Sequence, residues 1–383
     1  MKKPFAGSSR TSASAVAESL TEDIVIEILL RLPAKSLMRF KCVDKRWRSL
    51  ISDPGFAKSH LQRLKAGDII SSQRIFKTCP FEITNYEVLD GGIRGDDDRA
   101  VVESQEARMD DSSWYSEHVG SCDGLLCLSV LDRFVVYNPT TQEYRNLPSS
   151  NLFRLPEIFH GFGYDSRSDD YKIVQLKGSE KWQRGSENWQ VVIFSLKSGS
   201  WKRKRAQLEG QLTGIDRGGV YWNGALHWCI IEQSEEKVET LIVSFDLSEE
   251  KFQRVLPVPE LNGGTRFKGL GIHGTNLFMY HCTYSGCFQA WITSEYGKGG
   301  SWTKLFSVST EGILGYNHWQ IIPVTYTRSG KIVFQLDASQ MILFNPEDNT
   351  HEDYPIQSCG NIYSAIYVET LVSPYLGCEP SRI

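Results

Sequence analysis

The chain has 383 residues, 40% of them hydrophobic and 23% charged, with a formal net charge of −4 at pH 7. This length indicates two domains, or a small module followed by a large repeat domain. The weak net charge gives no overall attraction to nucleic acid or membranes, and no run of about eighteen apolar residues is present to span a bilayer.

The aromatic fraction is 11% and includes ten Trp, which favours β structure because large rings fit half-buried sheet faces. The nine cysteines are odd in number, scattered, and never arranged as C-x-x-C. A disulfide scaffold would be denser and shorter. We therefore expect reduced thiols and a cytoplasmic or nuclear protein.

The N-terminal tail, residues 1–17, contains Lys2, Lys3 and Arg10 and no acidic residue. This composition resembles an organelle transit peptide, but the tail is short and has no amphipathic period. A disordered tail is the preferred interpretation, and the absence of an apolar stretch argues against a secretory signal.

Residues 18–64 form a predicted helical module. Ile24, Ile28 and Leu32 recur every four residues on a first helix, and Pro33 ends it. The predicted N-caps of three further helices are Ser36, Asp44 and Asp53. The first helix is apolar on more than one side, so part of its surface should be covered by the rest of the chain or by a partner.

The second half of this module is basic. From Arg31 to Lys65 there are ten Lys or Arg and two Asp, a local excess of +8. A DNA-binding helix-turn-helix would gather such charge on one recognition helix, whereas here it is spread over several helices. An acidic protein partner, attracted electrostatically, accounts for the charge better. An ordinary helical hairpin packed on the second domain is the remaining alternative.

The run LTEDIVIEILLRLPAKSLMRFKCVDKRWRSLISDPGFAKSHL closely resembles the F-box of plant F-box proteins. The family usually has Pro where this chain has Thr21, which alters helix initiation. The resemblance implies a module that binds a Skp-type adaptor. It also implies which residues form the core and the adaptor-binding surface, without separating the two: Leu20, Ile28, Leu32, Pro33, Leu37, Trp47 and Leu50.

After Lys65 the sequence changes to short alternating strands broken by turn residues. An aromatic strand followed by a turn and a second aromatic strand recurs five times, at spacings of 46 to 57 residues, led by Tyr137, Phe194, Phe245, Trp291 and Phe344. A period near 50 residues is typical of kelch-like propeller blades. An apolar strand precedes each copy, and we expect it to be the inner strand of its blade.

Two more segments complete the predicted ring. Residues 68–90 can supply two strands of a sixth blade, and the C-terminal run NIYSAIYVETLV can join them and close the ring. We therefore predict that residues 66–383 form an all-β domain, a kelch-like β-propeller of about six blades. An open β-solenoid and a pair of packed sandwiches are the alternatives.

The phrases GSCDGLLCLS, YNPTTQEYRNLP, FGYDSRSDDYKIV and NGALHW resemble the F-box-associated, kelch-like domain of plant F-box proteins. This group includes the S-locus and defence-repressing F-box receptors. The resemblance implies a substrate-recognition subunit of an SCF-type ubiquitin ligase, joined through its adaptor to a cullin and RING scaffold, that captures a target protein for degradation. A propeller scaffold without ubiquitination is the alternative.

Catalytic motifs are absent from the sequence. The eight His are dispersed without H-E-x-x-H, and the nearest approach to a ligand cluster is His281 and Cys282 with Cys287. We therefore predict no catalytic residue, metal or cofactor. An organelle-targeted propeller enzyme is kept as an alternative only by the N-terminal tail.

We expect the target to bind the loops that differ most from the repeat. The blade strands form the core of the ring, so the loops between them are the surface available for recognition. Within them, Trp182 and Arg184 are the predicted contacts, since Trp and Arg are enriched in binding hot spots. The candidate loops are Gly91–Trp114, Gly178–Asn188, Gln233–Glu239 and Gly297–Ser301.

Overall fold

A computed structural model gives the fold of much of the chain. The predicted disordered tail lies outside the described residues. The structure describes residues 22–78, 82–85, 103–104, 116–130, 133–150, 152, 158–177, 187–208, 212–214, 218–233, 238–258, 265–293, 295, 302–309, 321–337, 340–353 and 364–375.

The helical module consists of four short helices, which are α1 (Glu22–Leu29), α2 (Ala34–Phe40), α3 (Lys45–Ile51) and α4 (Pro54–Ala66). A 3-10 turn, Ile70–Ser72, leads into the first strand. Their shared core is made of buried apolar side chains from all four helices, including Leu29, Leu37, Ile51 and Phe56. We use "helical module" below for residues 22–66.

Two of the three predicted helix caps are confirmed. Asp44 accepts hydrogen bonds from the N–H groups of Arg46 and Trp47, and Asp53 accepts one from Phe56 N–H. The Ser36 prediction is wrong, because α2 starts at Ala34. Pro33, with φ of −58°, stands at the N-cap without a side-chain hydrogen bond, and its carbonyl accepts from the N–H of Ser36.

Within each of the first three blades of the β domain, successive strands pair antiparallel. Their strands are β1 (Gln73–Lys77), β2 (Glu82–Thr84) and β3 (Glu103–Ser104); β4 (Ser116–Cys122), β5 (Leu125–Val130), β6 (Arg133–Asn138) and β7 (Glu143–Asn146); and β8 (Ile158–Asp165), β9 (Asp170–Lys177), β10 (Glu187–Ser195) and β11 (Ser200–Leu208).

The next three blades repeat this pattern, and the fourth has an innermost strand in two pieces that both pair with β14. Their strands are β12 (Leu212–Gly214), β13 (Gly218–Trp222), β14 (Ala225–Gln233), β15 (Val238–Asp246) and β16 (Lys251–Pro257); β17 (Thr265–His273), β18 (Asn276–Thr283), β19 (Cys287–Thr293) and β20 (Thr303–Ser309); and β21 (Ile321–Tyr326), β22 (Ile332–Leu336), β23 (Gln340–Asn345) and β24 (Thr350–Asp353).

The last strand closes the ring. Strand β25 (Ser364–Val368) pairs antiparallel with β1 over its full length and so completes the first blade as a four-stranded sheet. The first strand of each later blade lies beside the corresponding strand of its neighbours, and β25 lies between β4 and β21. The described residues therefore form a closed propeller of six blades. The prediction is confirmed, and the open solenoid and the two sandwiches are excluded.

One detail of the prediction is wrong. The apolar strands expected to be innermost, such as β5 and β9, are second from the axis. The innermost strands carry glycines instead, because neighbouring blades approach too closely there for side chains. A Cβ on Gly120 would lie 3.1 Å from Phe162 Cβ, and one on Gly161 would lie 2.7 Å from Leu226 Cδ1, in each case on the neighbouring blade.

The core lies between the blades. All five marker aromatics of the repeat stand on the third strand of their blade and are at most 9% exposed. Between the fifth and sixth blades, the Phe288 and Phe334 rings meet edge-on with centroids 5.0 Å apart. The markers Phe194 and Phe245 also lie in cores shared by neighbouring blades, so the repeat read from the sequence marks side chains that join one blade to the next.

Acid should destabilise this core, because burial lowers the pKa of His227 and of His273 to about 4. In the unfolded chain these histidines take up protons near pH 6.5. Their neutral forms therefore stabilise the fold fully above that pH, and this contribution is lost as the pH falls from about 6.5 towards 4, by up to about 3 kcal/mol per residue.

Urea unfolding at pH 7.5, 5.5 and 4.5 measures this effect, with His227→Gln as the comparison. We expect the variant to lose less stability than the wild type over this interval, because its side chain does not titrate. Equal losses in the two proteins would show that His227 makes no contribution to acid sensitivity.

Candidate functional site

Helix α1 presents an apolar stripe to solvent. Ile24 and Ile28 stand one turn apart and are 46% and 45% exposed. The opposite side of the helix is buried through Leu29, with Val25 and Ile26 half-buried beside it. Covering this stripe would remove apolar surface from water without disturbing the module core, which is what a protein-binding face requires.

A second exposed apolar group follows α2. Val43 is 69% exposed in the turn before α3. Behind it, the rings of Phe40 and Trp47 lie tilted with centroids 5.4 Å apart, and both are half-buried against the module core. Because Asp44 caps α3 directly after Val43, the position of this turn is fixed by hydrogen bonds.

The predicted adaptor-binding residues divide into three groups. Ile28 and Pro33 are exposed, whereas Leu32, Trp47 and Leu50 are half-buried against the module core. Leu37 is fully buried, so it supports the module from inside and does not belong to the exposed face.

One predicted adaptor-binding residue, Leu20, lies outside the described residues. The sequence prediction omitted Ile24 and Val43. The signal for Ile24 was present, since α1 is apolar on more than one side and only one side can face its own core.

His60 fixes the backbone of Leu32 through a hydrogen bond. The His60 Nε2 atom lies 2.9 Å from the Leu32 carbonyl oxygen, which joins α4 to the loop after α1. Burial lowers the pKa of His60. The Leu32 side chain is itself half-buried against the module core, so replacing it would disturb the internal structure of the module as well as its surface.

The helical module is attached to one face of the propeller. Lys58 and Lys65 on α4 form ion pairs with Asp169 at 2.9 Å and Asp123 at 2.5 Å. Both aspartates stand in β-turns with positive φ, between the first and second strands of the third and second blades. The side chain of Asp123 is 5% exposed and also accepts a hydrogen bond from Tyr171 Oη.

These ion pairs change the interpretation of the basic excess. Lys35, Lys58 and Lys65 face carboxylates of the β domain. Arg31 and Arg63 pair with Glu27 inside the module. Much of the positive charge therefore has an internal partner, and less of it is available to attract an external one than the sequence suggested.

The opposite face of the propeller is formed by other strand ends. Because the strands of a blade alternate in direction, β9 ends at Lys177 and β14 ends at Gln233 on the side away from the module. Strand β19, by contrast, ends at Thr293 on the side of the module. All four candidate target loops fall wholly or mainly outside the described residues, and so do Trp182 and Arg184.

The possible metal ligands noted in the sequence have other contacts. The His281 ring stacks on Trp291 with centroids 5.1 Å apart, and Cys282 is buried. Within the described ranges, no group of three His, Cys, Asp or Glu could hold a metal ion. Burial also raises the pKa of the Cys122 and Cys127 thiols, which makes them poor nucleophiles.

No helix in the described part of the chain is long and apolar enough to cross a membrane.

Two family models match this chain. The F-box domain matches residues 18–59, and the F-box associated beta propeller domain matches residues 78–374. Together they cover the helical module up to residue 59 and nearly all of the described propeller.

Curated relatives match over almost the whole chain. The Arabidopsis thaliana F-box protein CPR1 is 31% identical over 93% of this chain and 89% of its own length. The F-box/kelch-repeat protein At3g23880 of the same plant is 30% identical over 93% of this chain and 96% of its own. Among solved structures, the SapL1 lectin covers 65% of this chain and 80% of its own, at 10% identity and a TM-score of 0.32.

Proposed function

This chain belongs to the plant F-box proteins that carry an F-box associated beta propeller domain, and we propose that it is the substrate receptor of an SCF-type ubiquitin ligase. In this role the helical module binds a Skp-type adaptor on a cullin and RING scaffold. The propeller captures a target protein, which is then ubiquitinated and degraded by the proteasome. The receptor itself performs no chemistry and requires no cofactor.

The observation that carries this proposal is the exposed stripe of Ile24 and Ile28 on a module fixed to a closed propeller. A partner that covers the stripe gains apolar burial, and the propeller face away from the module stays open. The receptor then accelerates ubiquitin transfer by raising the effective concentration of the target near the conjugating enzyme.

A binding experiment and a ubiquitination assay test this function. The purified chain should bind a Skp-type adaptor directly, and a reconstituted complex with cullin, RING protein and conjugating enzyme should ubiquitinate the captured target. Adaptor binding without any ubiquitination would favour a scaffold role. Failure to bind any Skp-type adaptor would overturn the proposal.

We place the target site on the propeller face opposite the module, near the ends of β9 and β14. Cytoplasm or nucleus is the proposed location, because an SCF ligase works there.

Replacing Trp182 and Arg184 by Ala should weaken target capture by roughly tenfold or more, because Trp and Arg are residue types enriched in binding hot spots. Co-precipitation of targets after proteasome inhibition measures the loss.

The control for this double variant is adaptor binding, which should be unchanged because the module lies on the other face of the propeller. A target profile identical to that of the wild type would move the target site elsewhere on the propeller. Loss of adaptor binding together with target capture would indicate misfolding of the variant.

A further inference from the structure

We infer that the segment Glu369–Tyr375, which follows the ring-closing strand β25, is the joint that sets the orientation of the helical module on the propeller. We call this segment the C-terminal strap. It begins where the ring closes, so its contacts with the module form only on a closed propeller. The consequence for ubiquitin transfer rests on the proposed function, whereas the structural joint does not.

The first contact of the strap is a buried carboxylate. The Glu369 side chain is 4% exposed and lies between two cations from different parts of the chain. Arg74 Nη2 on β1 is 2.9 Å from Glu369 Oε2, and Lys35 Nζ on α2 is 3.3 Å from Oε1. A buried carboxylate depends on both cations, so this one residue links the module to the first blade.

The second contact is apolar. Leu371 is 5% exposed, and among the residues that the structure describes it is the one propeller residue in the buried core of the helical module, where it joins Leu29, Leu37 and Phe56. In the other direction, Leu61 of α4 belongs to the core of the second and third blades, beside Leu125 and Phe162. Each domain therefore completes the core of the other, which resists rotation between them.

The third contact clamps the strap backbone. The Asn138 side chain is fully buried, and its Nδ2 donates to the carbonyl oxygens of Thr370 at 3.1 Å and Val372 at 2.6 Å. Two hydroxyls act beside it. Thr370 Oγ1 donates to the Asp123 carbonyl at 2.8 Å, and Tyr375 Oη donates to the Tyr144 carbonyl at 2.7 Å.

Comparison with another blade isolates the function of Asn138. Its Oδ1 accepts hydrogen bonds from Thr140 N and Thr141 N and so closes the β6–β7 turn. Asp246, at the same place in the fourth blade, closes its turn by the same two bonds, from Ser248 N and Glu249 N. The turn therefore needs only an acceptor, and the amide donor of Asn138 serves the strap alone.

This comparison gives a narrow test. Asn138→Asp keeps the turn acceptor and removes the donor to the strap. Asn345→Asp makes the same change in the sixth blade, where Oδ1 accepts from Glu347 N and the side chain also hydrogen-bonds the Asp348 carboxylate, both within its own turn. Glu369→Gln removes the charge that Lys35 and Arg74 share. The orientation is read from the distance distribution between spin labels on exposed Cys42 and on Tyr284→Cys, with other reactive cysteines replaced by serine.

We expect one narrow distance distribution in the wild-type background and in Asn345→Asp. Asn138→Asp and Glu369→Gln should each broaden it or add a second population, while adaptor affinity stays within twofold of wild type because the Ile24 and Ile28 stripe is untouched. A wild-type melting temperature shows that a variant is folded. If both variants are folded and neither changes the distance distribution, the strap is not the joint.

The ubiquitination consequence is measured separately. In a reconstituted ligase, we expect the strap variants to modify a different set of lysines on their own propeller from the wild type, because the propeller is no longer presented at one angle. A broadened distance distribution with an unchanged set of modified lysines would support the strap as the joint but would overturn its effect on ubiquitin transfer. Absence of ubiquitination by the wild type would count against the proposed function alone.

Discussion

Replacing Ile24 and Ile28 together by Asp is expected to lower the affinity for a Skp-type adaptor by at least about 100-fold. Truncating an apolar hot spot costs about 2 kcal/mol, which corresponds to about 30-fold in Kd for each residue. Two carboxylates in a desolvated interface add a further penalty. Titration of adaptor into the purified variant by calorimetry measures the loss.

The double Leu variant, Ile24→Leu with Ile28→Leu, is the matched control. It keeps the apolar surface and the helix, so it should bind within a few-fold of wild type. Both variants should unfold at nearly the wild-type temperature, because the two side chains are close to half exposed. Wild-type affinity in a folded Asp variant would remove this stripe from the adaptor interface.

Ile24 and Ile28 are better positions for this test than Leu32 and Pro33, two of the residues implied by the resemblance to F-boxes. The Leu32 side chain is half-buried against the module core, and Pro33 is the N-cap residue of α2. Changing them alters the internal structure of the module, so a loss of binding there would have two explanations.

The helices and their caps could be largely predicted from the sequence, because these depend on neighbouring residues. The direction of each apolar side chain could not be. Helix α1 is apolar on two sides, and the periodicity does not distinguish the side that faces Leu37 from the side that faces solvent. That choice is made by packing against α2, α3 and the C-terminal strap.

In the propeller, the repeat of aromatic third strands predicted five blades, while residues 68–90 and the C-terminal strand predicted the sixth blade and the closure of the ring. The innermost strands were missed because they are marked by glycines such as Gly161 and Gly219, where a hydrophobic period does not exist. The attachment of the module was also missed. Pairs such as Lys58 with Asp169 join residues distant in sequence, and their carboxylates look like ordinary turn residues there.

Deleting residues 364–383, and with them β25, is expected to abolish cooperative folding of the propeller. The deletion leaves β1 without its inner neighbour and opens the ring between the first blade and its neighbours. It removes Ala365 and Tyr367 from the core shared with the second blade, where a buried aromatic contributes about 2–3 kcal/mol. It also removes Leu371 from the helical module.

Because a domain of this kind is stable by only about 5–15 kcal/mol, these losses together should leave little or no folded population. Thermal unfolding followed by near-ultraviolet circular dichroism measures the effect. Truncation after Tyr375 is the control, and it should melt like the full chain, since it keeps every described contact of the strap.

A synthetic peptide of residues 361–375 distinguishes ring closure from a general loss of chain. If β25 acts as the closing strand, the added peptide should pair with β1 and restore a cooperative transition in the truncated protein. The recovered melting temperature should rise with peptide concentration, because the peptide binds only the folded form. A truncated protein that melts like the wild type without the peptide would show that the other strands alone hold the ring.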